Sequence, residues 1–153
     1  ATVYKMDPVS GVLKSIQTLS TLSNTGFDGD NSTGTVRVHP NGRTVYISNR
    51  GHDSISIYST DNVTGLLSPL GIVATEKCPR TFAIRDEGDF LFAGSDFTNR
   101  VSSYRVDETG FLEQLEVYEI GASPSPANGK QSLIDQGKTR INGVGWILPV
   151  SIS

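Results

Sequence analysis

Apolar positions fall in short runs, such as Val36 to Val38, Val45 to Ile47 and Ile55 to Tyr58, each closed by Gly, Pro, Asn or Asp. Runs this short, rich in β-branched and aromatic residues, predict strands rather than helices. The runs also recur. Val36 to Asn49 aligns with Phe82 to Ser95 at an offset of 46 residues, which carries Pro40-Asn41-Gly42 onto Asp86-Glu87-Gly88. The next segment, Ile55 to Asp61 followed by Gly65-Leu66-Leu67, aligns with Val101 to Asp107 followed by Gly110-Phe111-Leu112. A third copy of this half opens the chain as Val3 to Asp7 followed by Gly11-Val12-Leu13.

Each full unit therefore predicts four strands: A over 35–39 and 80–85, B over 43–49 and 89–95, C over 55–60 and 101–106, D over 66–73 and 111–118. Gly42 and Gly88 close the A–B turns, where a positive φ is needed. Four antiparallel strands in about 45 residues is the repeat of a β-propeller blade, an all-β architecture. Val3 to Leu22 supplies the outer half of one blade, Thr35 to Ala74 a full blade and Arg80 to Ile120 another. That makes about two and a half four-stranded antiparallel blades, whereas closed rings have roughly four to eight. The chain is expected to be a partial β-propeller, with blade faces and inner edges open to water. Its start at Ala1, inside a strand pattern and without an initiator Met, agrees with a fragment. Its expected partners are the missing blades of its own ring, or a complementing protomer that closes one. Alone it is expected to be poorly folded or associated, and at most weakly active.

Composition narrows the class. Across 153 residues, 36% hydrophobic and 8% aromatic content is thin for an independent core. Sixteen Gly and seven Pro argue against a helical bundle. Thirteen Lys and Arg against 16 Asp and Glu leave a net charge of −3 with no basic run, which argues against nucleic acid as a partner. No apolar run reaches the roughly 18 residues of a membrane span. The N-terminus has no visible export signal, and the single cysteine, Cys78, cannot pair internally. A cytoplasmic setting and a buried or incidental thiol are expected. His39 and His52 lie too far apart for a zinc set, so neither metal nor other cofactor is expected. The sequons at Asn31 and Asn62 would matter only after secretion.

Four strings carry a resemblance: Gly26 to Asn31, His39 to Arg43, Ser48-Asn49-Arg50-Gly51-His52-Asp53-Ser54-Ile55, and Pro79 to Ile84. With them the chain resembles the C-terminal part of the seven-bladed lactonase family, which includes propeller-type 6-phosphogluconolactonases and fungal carboxymuconate cyclases. The resemblance covers Val3 to about Pro126, so 1–126 is expected to be a partial lactonase propeller. Residues 127–153, with Asn128-Gly129, Asn142-Gly143 and Trp146, are expected to be a divergent C-terminal tail. It implies hydrolysis of a sugar lactone, foremost 6-phosphogluconolactone, by the full-length parent. A carboxymuconate lactonising cyclase and a non-catalytic interaction platform stay open as alternatives. Arg37 stands where many bacterial members have His, closer to the fungal versions, and the family's acidic site residue belongs to an earlier blade.

Strand order locates a site. If the strands of a blade run up and down from the channel outward, B–C loops and D–A connections share one mouth, and A–B and C–D turns share the other. The first mouth then gathers Arg50, His52 and Asp53, the segment Lys77-Cys78-Pro79-Arg80, Asp28, Asp30 and Asn31, and Asp96, Asn99 and Arg100. Two guanidinium forks suit an anionic small molecule. Arg50 and Arg80 are expected to clamp a phosphate or polarise a lactone carbonyl, with His52 activating water as general base, since imidazoles as a class titrate near neutrality. Arg37, Asn49, Asp53 and Asp96 complete the expected substrate contacts. The plainer readings are that the arginines link blades and that His52 caps its turn through Asp53. His39 is expected to be a turn residue at the opposite mouth. The Asp28 to Asn31 run lacks the Gly and Glu of a calcium loop and is expected to be an ordinary polar connection.

Overall fold

A computed structural model describes residues 1–22, 26–95 and 97–120. They form an all-β array with three antiparallel sheets. The first is the pair β1 (Thr2–Met6) and β2 (Leu13–Thr18). The second runs β3 (Ser32–Val38), β4 (Thr44–Arg50), β5 (Ser54–Thr60) and β6 (Leu67–Ala74) as a meander. The third repeats it with β7 (Pro79–Ile84), β8 (Phe90–Ser95), β9 (Arg100–Val106) and β10 (Leu112–Glu119). These are the expected half blade and two full blades. The boundary placed at 126 and the tail beyond it lie outside the described residues.

The centre of the structure is the seam between the two full blades. Tyr46, Ile55 and Ile57 of one sheet pack against Phe82, Leu91, Ala93, Tyr104, Val106 and Leu112 of the next. The alternate residues Val45, Ile47 and Tyr58 point to the other face of the middle blade, with Leu67, and meet Ala1, Val3 and Leu19 of the half blade. Both faces of β4 and β5 are therefore covered, which is why these strands are buried along most of their length. Burial of each large aliphatic or aromatic side chain here contributes about 1.5–3 kcal/mol.

Three tyrosines clasp the seams. Their hydroxyls donate to main-chain carbonyls of neighbouring segments: Tyr46 to Gly110 at 2.7 Å, Tyr104 to Ala74 at 3.1 Å and Tyr58 to Ser20 at 2.9 Å. Burial pushes all three phenols above their ordinary range and keeps them neutral donors. Each C–D hairpin is nucleated by one aspartate, Asp7, Asp61 or Asp107, whose Oδ1 accepts main-chain amides two to four residues on. The opposite turns are tied across blades, for Asn41 N donates to His39 Nδ1 (3.2 Å) and leaves Nε2 to reach the Gly88 carbonyl at 2.8 Å. His39 is thus a turn residue, away from the other mouth.

The inner strands approach closely. Thr35 Oγ1 donates to the Arg80 carbonyl (3.0 Å), and a Cβ on Gly34 would stand 2.7 Å from Ser48 Oγ and 3.2 Å from the same carbonyl. β3 begins at Ser32, earlier than the pattern predicts, because Ser32 and Thr33 stay in register with Arg50 and Asn49 before a bulge ahead of Val36. Val36 and Val38 on β3, Tyr4, Met6 and Leu13 on the half blade, and Val117 and Tyr118 on β10 are exposed.

Candidate active site at the inner ends of the blades

The B–C turn of the middle blade, residues 51–53, is shaped by its backbone. Gly51 has φ 122° and Asp53 has φ 57°. Any Cβ on Gly51 would collide with the Asp30 carbonyl, so the connection entering the blade lies directly on this turn. Asp53 then joins the turn to the connection leaving the blade. Its Oδ1 accepts from the Cys78 amide at 2.7 Å and from the Gly51 amide at 3.3 Å, and its main-chain carbonyl accepts from Thr75 N at 2.9 Å. The far side of that connection is fixed by Ser95, whose hydroxyl donates to the Lys77 carbonyl at 2.6 Å. Two loops far apart in sequence thereby become one ridge.

Arg50 and Arg80 flank the ridge next to β3. The Arg50 guanidinium donates through Nη2 to the Thr33 carbonyl (3.1 Å), and its Nε is buried without an acceptor among the described residues. Arg80 is exposed on β7, with its carbonyl against Thr35, two residues along β3 from Thr33. The strand order thus brings the two arginines to the same end of the inner strands. Arg37 is exposed farther along β3, where its Nη1 donates to the Val36 carbonyl at 3.2 Å, and β3 pairs it with Tyr46 rather than with the residues of this ridge.

His52 is half-buried between elements. Its main-chain amide donates to Asn31 Oδ1 (3.2 Å), its ring meets Phe27 edge to face at 5.0 Å, and its Nδ1 lies 2.8 Å from Ser54 Oγ. Nε2 has no hydrogen-bond partner among the described residues. Asn49 is fully buried, and its carboxamide is spent on Ser54, Ser56 and Asn31. The expectation that Asn49 contacts a ligand directly does not fit this placement, because its polar atoms are turned into the sheet. Asp53 likewise spends Oδ1 on two backbone amides and acts on the loops instead of pointing both oxygens outward. Asp96 lies outside the described residues. Asn99, with φ 52°, holds Ile120 N through its carbonyl at 2.8 Å, and Arg100 pairs with Glu119 at 3.0 Å, so these two organise the rim of the last blade.

Sequence reasoning missed Ser54 and Phe27 and undervalued Asn31. Ser54 and Ser56 alternate with Ile55 and Ile57, and small hydroxyls inside an otherwise apolar central strand were the available signal. Among the described residues no group of three His, Cys, Asp or Glu side chains is placed to hold a metal ion. They also include no helix long and apolar enough to cross a membrane.

The seven-bladed β-propeller lactonase model matches residues 1–126. The 6-phosphogluconolactonase of Pectobacterium carotovorum subsp. carotovorum (strain PC1) is 33% identical over 123 residues, 80% of this chain and 37% of the relative. That of Yersinia pestis (strain Pestoides F) is 33% identical over 99 residues, 64% of this chain and 30% of the relative. The chain thus spans little more than a third of the curated relatives it matches. Among solved structures, the periplasmic gluconolactonase of Pseudomonas aeruginosa superposes with a TM-score of 0.72 at 25% identity, covering 78% of this chain and 34% of that one. A protein from Lactobacillus plantarum has the same fold, with a TM-score of 0.72 at 23% identity over 76% of this chain and 34% of its own.

Proposed function

Because the chain belongs to the seven-bladed β-propeller lactonase family, we propose that the whole protein hydrolyses a sugar lactone, foremost 6-phosphogluconolactone. Water adds to the lactone carbonyl carbon, the ring C–O bond breaks, the former ring oxygen takes a proton, and the new carboxylic acid ionises to 6-phosphogluconate. The ridge built on Asp53 is the observation that carries this reading, since it sets Arg50 and Arg80 beside one inner strand. One guanidinium fork serves the phosphate, and the other lowers the energy of the carbonyl oxygen as negative charge develops on it. Names of relatives at 31–33% identity point to the phosphorylated substrate. A cytoplasmic setting fits that substrate, a phosphorylated metabolite, and agrees with a cysteine count of one; fractionation of the source cells tests it.

The deciding experiment is turnover by the purified whole protein of 6-phosphogluconolactone, unphosphorylated gluconolactone and a carboxymuconate, side by side. Preference for the first supports the proposal, and lactonisation of the carboxymuconate would replace it with the cyclase reading. Binding without turnover of any of the three would leave an interaction platform.

A further inference from the structure

The hydrogen-bond network behind His52 fixes where its ring proton sits. The Thr21 main-chain carbonyl can only accept, so the Ser56 hydroxyl, which touches it, must spend its proton there. Ser56 Oγ, 2.7 Å from Asn49 Nδ2, is then an acceptor, which orients the Asn49 carboxamide with its nitrogen toward the serines. Its oxygen correspondingly accepts from Asn31 Nδ2 at 3.3 Å, and Asn31 in turn uses its own oxygen on the His52 amide. The second proton of Asn49 Nδ2 faces Ser54 Oγ at 3.2 Å. Ser54 is buried, with 1% of its surface exposed, so among the described residues its own proton has one acceptor, the Nδ1 of His52 at 2.8 Å. A ring that accepts at Nδ1 carries its proton at Nε2 when neutral.

We infer that the chain from Thr21 through Ser56, Asn49 and Ser54 holds His52 as its neutral Nε2–H tautomer, so that His52 serves the lactone site as a hydrogen-bond donor to the carbonyl oxygen. This rests on the proposed lactonase reading and replaces the water-activating role that the sequence leads one to expect of His52. A water-activating base needs an unprotonated nitrogen facing the ligand, and here the unprotonated nitrogen faces Ser54. The donor complements the arginines, because a neutral N–H near a developing oxyanion adds stabilisation without a third positive charge.

The test joins spectroscopy to kinetics in the whole protein. With 15N-labelled histidine, long-range proton–nitrogen correlation spectra assigned by the loss of signal in His52→Gln should show an unprotonated Nδ1 and a protonated Nε2. Ser54→Ala should mix the two tautomers. Gln places an amide donor near the position of Nε2 but is no base, so His52→Gln should keep kcat/KM for 6-phosphogluconolactone within about tenfold. His52→Ala should lose on the order of a hundredfold or more. A protonated Nδ1 in the unmodified protein overturns the inference, as does a Gln variant that is folded yet as slow as the Ala variant. If the unmodified protein turns over no lactone, the functional reading fails and the donor role falls with it, while the spectra still decide the tautomer.

Discussion

The tyrosine clasp at the centre of the seam gives a stability prediction whose size follows from the geometry. Tyr46 has no exposed surface, and its hydroxyl donates at 2.7 Å to the carbonyl of Gly110, a buried turn residue of the next blade. In Tyr46→Phe the ring still fills its place against Ile55, Phe82 and Leu91, so almost no apolar contact is lost. What changes is one hydrogen bond, worth about 0.5–1.5 kcal/mol net, and a carbonyl left dry, which raises the cost toward 1–3 kcal/mol. The expected loss is about 2 kcal/mol. Urea unfolding of the whole protein, followed by circular dichroism, should show a lower midpoint with an unchanged denaturant slope, because the surface exposed on unfolding is the same. Tyr4→Phe is the internal control, since Tyr4 is 54% exposed, and should lie within about 0.5 kcal/mol of the unmodified protein. If Tyr46→Phe is as silent as Tyr4→Phe, the clasp does not contribute to holding the blades together.

Arg50→Ala and Arg80→Ala should each lower kcat/KM for 6-phosphogluconolactone by about a hundredfold or more, read on variants that circular dichroism shows to be folded. Asp53→Ala should release the connection over 75–78 and lower kcat/KM, whereas Asp53→Asn, which keeps an acceptor at Oδ1, should recover most of it; equal loss in both would refute the role given to that oxygen. Gly88→Ala should cost about 2 kcal/mol, because φ is 84° and the new Cβ would stand 2.6 Å from His39 Nε2; its kcat/KM should not change, since the clash sits at the other mouth. Asp7, Asp61 and Asp107 are held below the ordinary carboxylate range, foremost by the Ser10 amide, the Thr64 amide and the Thr109 hydroxyl respectively. Their contribution to stability is therefore complete above about pH 4 and lost as pH falls through the lowered values, so Asp61→Asn should flatten the acid limb of a plot of unfolding midpoint against pH.

The blades were legible because their turns carry strong local chemistry: Asp61 with Gly65 and Asp107 with Gly110 mark the C–D hairpins wherever the core residues vary. The start of β3 was not, since Ser32, Thr33 and Gly34 read as a polar connection and become strand only through pairing with β4. That Arg50 and Arg80 lie at the same end of the inner strands was legible from strand order alone, which depends on topology and not on side-chain packing. The roles of Asn49 and Asp53 were misjudged for a common reason. Each polar group finds its partner across a blade or between loops, as Asp53 does with Cys78 across 25 residues and Ser56 with Thr21 across 35. Local pattern carries no trace of such pairings, so an inward polar side chain looks the same as an outward one.

The connection over 75–78 is anchored by main-chain atoms at Thr75, Lys77 and Cys78, gripped by Asp53 and Ser95. Every amino acid supplies a main-chain carbonyl, and every one except proline an amide N–H, so the grip does not depend on which side chains the loop displays. Substitutions over 75–78 can therefore change what this lip displays while the scaffold beneath keeps its shape. The display of the loop and the means of holding it in place are thus separable.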